Sequence, residues 1–244
     1  RNPDVITEQF SEPVGTASSA LLDLTLSIGP VFLEALEDSN NLFQAEITHL
    51  GEIEFSSSGT SRKTIRLDTQ ERSFQIGRFN FFNVPELRWE LGITPEIPVE
   101  LDISGGVGEA VLDLRQLDLT GLNLGVGVGQ VKLYLPATED AYDARISGSV
   151  GETYIEIMEG ADIRLDINGG VGEVTIDVPE GAAVRVDASI GVGRVRVPSG
   201  FRQISGGDSD FVGEHGVWES AGFESADRQI IISFAGGVGG LVLR

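Results

Sequence analysis

Carboxylates that recur at one position of a repeated pattern are the residues of this sequence best suited to chemistry. The second residue after a recurring valine is, in successive copies, Glu109, Gln130, Glu152, Glu173, Arg194 and Glu214. If the copies stack in register, Glu152 and Glu173 lie about 5 Å apart. Like charges at that spacing destabilise a sheet. Two interpretations stay open: Arg194 from the next copy neutralises the pair, or a calcium ion does, since Ca²⁺ prefers oxygen ligands.

A second group of possible oxygen ligands is Asp208, Ser209 and Asp210, whose spacing is not that of an EF-hand loop. We therefore predict Glu152, Glu173, Asp208 and Asp210 as candidate calcium ligands. The sequence predicts no other metal and no organic cofactor.

Enzymatic chemistry has less support in the sequence. Paired acids can hydrolyse glycosidic bonds, but the best pair of outward aromatics for a sugar, Tyr134 and Tyr154, is better explained by diagonal contact between strands. His49 and His215 lie far apart without a serine or cysteine partner, and we predict both at the surface or in turns. Gly125–Gly129 precedes a strand, whereas a dinucleotide-binding loop precedes a helix. We predict no catalytic residue, with a carbohydrate-active β-helix enzyme as a distant alternative.

Charge and composition exclude several classes of partner. The 244 residues include 38 acidic and 17 basic side chains, for a net charge of −21, and no cysteine. Such a surface repels phosphate backbones and anionic membranes, so nucleic acid is not an expected partner. Without cysteine there is no disulfide or thiolate metal site. No run of 18 apolar residues occurs, so we predict no transmembrane segment.

The elements that position these side chains form a repeat. An alternating apolar run enters a glycine corner around a valine, and a second alternating run leaves it. Each copy is too short to bury its own apolar face, so copies must stack. The pattern predicts an all-β, single-stranded β-solenoid, or β-helix, with rungs of about 21 residues. The predicted corners are Gly106, Val107 and Gly108; Gly127, Val128 and Gly129; Gly170, Val171 and Gly172; Gly191, Val192 and Gly193; and Gly237, Val238 and Gly239.

Alternation within each copy predicts which side chains are buried. In the first regular copy these are Leu101, Ile103, Leu112 and Leu114, and equivalent positions repeat through Ile232 and Phe234. On the outer face, stacking places Asp143 beside Arg164 and Arg145 beside Asp166. These pairs have complementary charges and a structural role.

Three regions are predicted along the chain. Residues 1–20 are a leading arm or linker, residues 21–98 an N-terminal region with an aromatic cap or transition, and residues 99–244 the regular solenoid. Residues 199–229 are a degenerate copy around Val212. The last copy stops at Arg244 directly after its second strand, and an uncapped strand edge predicts association. The aromatics of the predicted cap are Phe74, Phe79, Phe81, Phe82 and Trp89.

The string from Trp89 to Ile103, running into Gly105–Glu109 and Leu112–Leu114, resembles the bacterial toast-rack family. This family includes the extracytoplasmic part of LiaF-like cell-wall stress proteins and is close to domains named as putative adhesins. The resemblance implies a β-solenoid fold, an extracytoplasmic location at the cell surface or in the secreted fraction, and no known catalytic residue.

The combined expectation is a non-enzymatic structural or interaction module of a bacterial cell envelope, adhesin-like or stress-sensing, with a protein or cell-surface partner. The alternative is a self-assembling surface filament or layer subunit whose copies join by strand addition.

Overall fold

A computed structural model describes residues 5–70, 87–208 and 213–244. In these ranges one 15-stranded sheet contains the strands, and Phe223–Ser225 forms a short 3₁₀ helix. The strands are β1 (Ile6–Pro13), β2 (Ser19–Ile28), β3 (Val31–Ala35), β4 (Asn41–His49), β5 (Glu52–Ser58), β6 (Arg62–Gln70), β7 (Arg88–Ile93), β8 (Val99–Asp113), β9 (Leu119–Leu135), β10 (Tyr142–Ile157), β11 (Ile163–Asp177), β12 (Val184–Arg196), β13 (Arg202–Asp208), β14 (Glu214–Glu219) and β15 (Ile230–Leu243).

Six long strands form the central stack, in the order β8, β9, β10, β11, β15 and β12, and all are parallel. Leu101 pairs with Leu122, Leu122 with Ala144, and Ala144 with Leu165. The first half of β8 pairs with β2 and its second half with β3, so each half of a long strand belongs to a different face. The predicted all-β, solenoid-like architecture is confirmed.

The core lies between the two faces of the stack. Leu101, Ile103, Leu112 and Leu114 are all buried, as predicted, because alternate residues of a strand point to one side. Burying each such aliphatic side chain contributes about 1.5–3 kcal/mol. The other predicted inward residues are buried too, except the partly buried Val178: Leu122, Leu124, Leu133, Leu135, Ala144, Ile146, Ile155, Ile157, Leu165, Ile167, Ile176, Val186, Ala188, Ile232 and Phe234.

The last strand of the chain is not the last strand of the stack. Ile230 of β15 pairs with Ile163 of β11 on one side and with Val184 of β12 on the other. The expectation that the final copy ends the solenoid with an uncapped edge is therefore wrong. Both edges of β15 are paired, which satisfies its backbone groups inside the sheet.

β13 and β14 form an antiparallel pair and not a degenerate parallel copy. β13 and β14 are antiparallel to each other, and β14 is antiparallel to the first half of β12, with Trp218 opposite Val186. Trp218 is buried at this end of the core. The copy predicted around Val212 is corrected accordingly, and Val212 itself lies outside the described residues. This pair of strands caps one face of the stack.

The N-terminal region continues both faces in the other direction. One face runs from β8 through β2 and β6 to β5, and the other runs from β8 through β3, β7 and β4 to β1. Part of the predicted arm is thus the sheet strand β1, antiparallel to β4. Of the predicted aromatic cap, Trp89 is fully buried. The other four aromatics, Phe74, Phe79, Phe81 and Phe82, lie outside the described residues.

An ion pair links β1 to the opposite face. The Lys63 ammonium donates to Oε1 of Glu12 at 2.5 Å and to the carbonyl oxygen of Pro13 at 2.6 Å. Both side chains are mostly buried, with 12% of Lys63 and 17% of Glu12 exposed. The hydrogen bond from Lys63 lowers the pKa of Glu12, against the opposing effect of desolvation.

Close backbone approach explains the glycine that follows each corner valine. Gly172 has φ 148°, and a Cβ added there would overlap the carbonyl oxygen of Gly151. The same overlap would occur between each successive pair in the column formed by Gly108, Gly129, Gly151, Gly172, Gly239 and Gly193. Before the valine the reason for glycine differs between copies: Gly106 has open space around it but a φ of 92°, which L residues rarely adopt, whereas a Cβ on Gly191 would lie 2.8 Å from the oxygen of Gly237.

We expect Gly172→Ala to lower the free energy of unfolding by at least about 1–3 kcal/mol, the cost of backbone strain alone. The overlap with Gly151 adds to this cost. Val171→Ala is the matched control: its side chain is 50% exposed, so its effect should stay within about 1 kcal/mol. Urea denaturation measures both values. Equal effects of the two substitutions would contradict the assigned role of the glycine.

Lys63→Met should weaken the docking of β1 by about 1–2 kcal/mol, because it leaves a mostly buried carboxylate without its charged donor. The pKa of Glu12 is lower in the folded protein than its ordinary value of 4.5. The ion pair therefore contributes its full stabilisation of the folded protein above pH 4.5. This contribution is lost as the pH falls through the lowered pKa of Glu12. Hydrogen-exchange protection of β1 amides measures this. Lys132→Met, at an exposed pair with Glu109, is the control and should leave β1 protected.

Candidate functional site

The predicted acidic pair does come together on the outer face of the stack. Glu152 of β10 is in register with Glu173 of β11, and both side chains are exposed. On one side, Nε2 of Gln130 donates to Oε2 of Glu152 at 3.4 Å. On the other side, the neighbour of Glu173 is Gly240, because β15 lies between β11 and β12. Arg194 pairs with Gly240 and not with Glu173, so its predicted role in neutralising the pair is wrong.

Of the four candidate calcium ligands, Glu152 and Glu173 are the two that the described part of the chain brings together. In the described ranges, no group of three or more histidine, aspartate or glutamate side chains could hold a metal ion. Asp208 ends β13, far along the chain from Glu152 and Glu173, and Asp210 lies outside the described residues. Calcium takes six to eight oxygen ligands. The calcium site therefore stays a prediction based on two carboxylates.

Other polar side chains of the stack form contacts that stabilise the sheet. Asp143 and Arg164 are in register and 3.9 Å apart, and Arg145 is in register with Asp166. The rings of Tyr134 and Tyr154 meet edge to face with centroids 6.2 Å apart. The Tyr154 hydroxyl donates to Asp177 at 2.6 Å, and this hydrogen bond raises the pKa of the phenol. The tyrosines are therefore neighbours in the ladder, as predicted.

The two histidines differ in position. His215 is exposed, whereas His49 is buried with 1% of its surface exposed, so the prediction of a surface or turn residue is wrong for His49. Nε2 of His49 lies 2.9 Å from Oε2 of Glu8. The ring fills the inward-facing end of β4 and helps to hold β1 on that strand.

A further concave surface of the described residues lies on the outer face of β1, β4, β7 and β3. Two rows of outward residues cross these four strands: Gln9, Glu46, Glu90 and Phe32 in one, and Ser11, Gln44, Gly92 and Glu34 in the other. The end of β8 and the turn after it close one side with Asp113, Arg115 and Gln116. The resulting N-terminal groove has a volume of about 1130 Å³.

Two arginines in the groove are held by carboxylates and by aromatic rings. Nε of Arg88 donates to Glu90 at 2.6 Å, and its guanidinium lies 4.3 Å from the centroid of Phe32. Arg115 donates to both oxygens of Asp113 at 2.8 and 2.5 Å and lies 4.8 Å from the ring of Tyr134. These contacts fix the planes of both guanidinium groups.

Charge in the groove favours binding over proton transfer. Arg115 lowers the pKa of Asp113 by hydrogen bonding, so this carboxylate stays ionised and is a poor general acid. Glu46 accepts from Nε2 of Gln9 at 2.6 Å. The groove therefore presents fixed charges and amides to a ligand.

Comparison with known proteins identifies the family. A family model described as "N-terminal domain of toast_rack, DUF2154" matches residues 2–156. The chain belongs to this family. The resemblance noted in the sequence is confirmed. A search of curated proteins finds no match.

Two solved structures are similar to this toast-rack chain. A putative cell adhesion protein from Clostridium sporogenes is 21% identical, has a TM-score of 0.67, and is matched over 98% of this chain and 99% of that chain. A putative adhesin from Bacteroides fragilis is 12% identical with a TM-score of 0.37, over 99% and 97% of the two chains. The first likeness shows that the fold is shared. No helix in the described ranges has the length and apolarity to span a membrane.

The N-terminal groove was not predicted from the sequence. Its walls come from β1, β4, β7 and β3, which pair across long separations in the chain, and two of these pairings are antiparallel. The toast-rack repeat contains no signal for such pairings. A local hint was Arg88, which directly precedes the family string and lies two residues before Glu90.

Glu173→Gln tests whether the acidic pair is a charge conflict or a cation site. We expect the free energy of unfolding to rise by about 0.2–1 kcal/mol, because a like-charge neighbour of Glu152 is removed. The gain should shrink at 1 M salt, which screens exposed charges. Glu180→Gln, in an exposed turn, is the control. The opposite result would establish the calcium site: the melting temperature of wild type rises with calcium and falls with chelator, whereas that of the variant does not change.

Proposed function

We propose that the protein is a non-enzymatic interaction module of a bacterial cell envelope, adhesin-like or stress-sensing, that lies outside the cytoplasm. Its partner is a protein or another component of the cell surface. The observation that carries this proposal is the N-terminal groove, a concave surface of fixed charges at one end of a rigid stacked sheet.

The contacts in the groove support binding to an extended partner. Arg88 and Arg115 are oriented by Glu90 and Asp113 before any ligand arrives, which lowers the entropic cost of binding. Glu34 and Glu37 add negative charge at the rim. A segment with amide groups and charges of both signs would complement this lining, with its carboxylates at Arg88 and Arg115 and its cations at the glutamates.

The proposed scaffold is built from a repeat. Rungs of about 21 residues with glycine corners account for the stacking, and they are supported by the pairing of Val128 with Val150 and of Val150 with Val171. In this description residues 99–244 are the rigid rod, and residues 21–98 carry most of the groove, which Asp113, Arg115 and Gln116 of the rod close. Residues 1–20 supply one of its walls through β1.

Self-assembly is a second candidate function, and a specific observation favours it. The terminal strands of both ends of the stack have an edge that is unpaired in the described part of the chain. Such edges are templates for strand addition from another molecule.

The groove is tested by co-sedimentation of the purified chain with bacterial cell envelopes. We expect Arg88→Glu combined with Arg115→Glu to lower binding at least about tenfold, because both fixed cations are reversed. Arg145→Glu combined with Arg164→Glu makes the same charge change in the middle of the stack and should bind like wild type. Full binding by the groove variant would refute this site.

Location and chemistry need separate measurements. A protease added to intact cells should degrade the chain if it lies outside the cytoplasm, while a cytoplasmic control protein survives. Incubation with envelope glycans should leave them unchanged in mass. Glycan cleavage by wild type but not by a denatured sample would replace the binding proposal with an enzymatic one.

A further inference from the structure

The exposed apolar side chains of the described chain are concentrated in one row. Seven large apolar residues are exposed in the described ranges, and five of them have the same position in strands of the stack: Ile28, Val128, Val171, Val238 and Val192. Between 45% and 59% of each of these residues is exposed. Backbone register joins them in the order Ile28, Val107, Val128, Val150, Val171, Val238 and Val192. We call these seven residues the aliphatic row.

The aliphatic row lies in a strip of sheet that contains no charge. Charged residues make up 23% of the chain, yet none occurs from three positions before the row to one position after it. These positions are residues 25–29, 104–108, 125–129, 147–151, 168–172, 235–239 and 189–193. Charge returns at the second position after the row, with Glu109, Glu152, Glu173 and Arg194. An exposed apolar patch with a polar rim is typical of a protein-binding surface.

The dimensions of the uncharged strip set the strength of its contact. Seven strands make it about 29 Å long, and five residues of each strand make it about 16 Å wide. Two such strips in contact bury about 900 Å² in total, less than the standard protein interface of about 1,600 Å². The strip is therefore suited to a weak association that depends on protein concentration.

A second copy of this chain matches the row along its whole length. The strands of both copies have the same spacing, so each member of the row meets an equivalent member. A surface without that spacing would match the row at one or two strands only. Two arrangements bring the rows together, with the stacks running in the same direction or in opposite directions.

The charged column beside the row distinguishes these arrangements. Opposed stacks place the column against itself in reverse order, so that Glu152 at the centre faces Glu152 of the second copy, which is unfavourable. Stacks in the same direction are related by a twofold axis along the row, and this rotation exchanges the two sides of the row. The second residue after the row then faces the third residue before it.

Hydrogen-bond donors lie where the same-direction arrangement requires them. Each strand with a glutamate after the row has a side-chain donor three positions before it: Ser104 with Glu109, Ser147 with Glu152 and Asn168 with Glu173. The strands with Gln130 and Gly240 at the later position have Gly125 and Ala235 at the earlier one. Two of the glutamates already accept a hydrogen bond within the chain, but a carboxylate accepts up to about four.

We propose that the aliphatic row binds the same row of a second copy of this chain, with the two stacks side by side and running in the same direction. The twofold axis closes the contact, so association ends at a dimer. The contact uses neither the groove nor the free strand edges, and it goes beyond the proposed function.

Sedimentation equilibrium over a range of concentrations measures the dimer. Wild type should shift from monomer to dimer as the concentration rises. Raising the salt concentration from about 0.01 M to about 1 M should strengthen the dimer, because it screens the repulsion between two chains that each have a net charge of −21. A contact between opposite charges would instead weaken with salt.

Substitutions in the row test the surface itself. Val171→Glu should weaken the dimer at least about tenfold, because the new carboxylate faces its own equivalent. Ile204→Glu is the matched control, since Ile204 is 40% exposed and lies outside the row; this variant should dimerise like wild type. Val171→Thr keeps the β-branched shape and should weaken the dimer less than Val171→Glu. Equal melting temperatures of Val171→Thr and wild type exclude loss of fold as the cause.

A disulfide tests the direction of the two stacks. The chain contains no cysteine, so Val128→Cys introduces a single thiol into the row. Stacks in the same direction bring this thiol to its equivalent, whereas opposed stacks place it against Val171 of the second copy. Mild oxidation should therefore give covalent dimers at least about tenfold faster than for Ile204→Cys, whose thiol lies outside the row.

Three results would overturn the proposal: a wild type that stays monomeric at high concentration and high salt, a Val171→Glu variant that dimerises like wild type, or a Val128→Cys variant that crosslinks no faster than Ile204→Cys. Crosslinking only in a mixture of Val128→Cys and Val171→Cys would refute the same-direction arrangement.

The dimer and the groove are tested independently. Arg88→Glu combined with Arg115→Glu should still dimerise, and monomeric Val171→Glu should still bind cell envelopes. Loss of envelope binding in Val171→Glu would assign the row to an envelope partner and overturn its role between copies.

Discussion

The architecture depends on how closely successive backbones approach at the corner of each copy. The carbonyl oxygen of one glycine occupies the space that a Cβ of the next would fill, from Gly108 through Gly172 to Gly193. A side chain at any of these positions would force the copies apart. Because the same rungs also align the core on both faces, this one backbone contact determines the register of inward residues such as Leu101 and Leu122.

Stacking in register has a consequence for charge. Every outward position becomes a column, so side chains of like charge meet unless the sequence alternates them. Asp143 beside Arg164 is an alternating case, and Glu152 beside Glu173 is a conflicting one. At the N-terminal end a charge is compensated between the two faces instead, where Lys63 of β6 pairs with Glu12 of β1.

Local sequence was sufficient for the features that arise within one copy or between adjacent copies. Period-two alternation predicted the buried residues, and the constant spacing predicted that Asp143 would meet Arg164 and that Tyr134 would meet Tyr154. Prediction from local sequence failed where residues that are neighbours in space are distant in the chain. Period-two alternation from Ala45 and Ile47 points His49 inward, but only the pairing of β4 with both β1 and β7 shows that this end of the strand is covered.

The sequence by itself determined the strand pattern, the inward faces and the family, because period-two alternation and the glycine corners are local properties of the chain. Only the tertiary structure decided the order of the strands. β15 lies between β11 and β12, although β12, β13 and β14 all precede it in the chain. That insertion separates Glu173 from Arg194 and leaves residues 192–196 as an edge. Identical apolar faces can stack in any order, so their pattern alone does not select one.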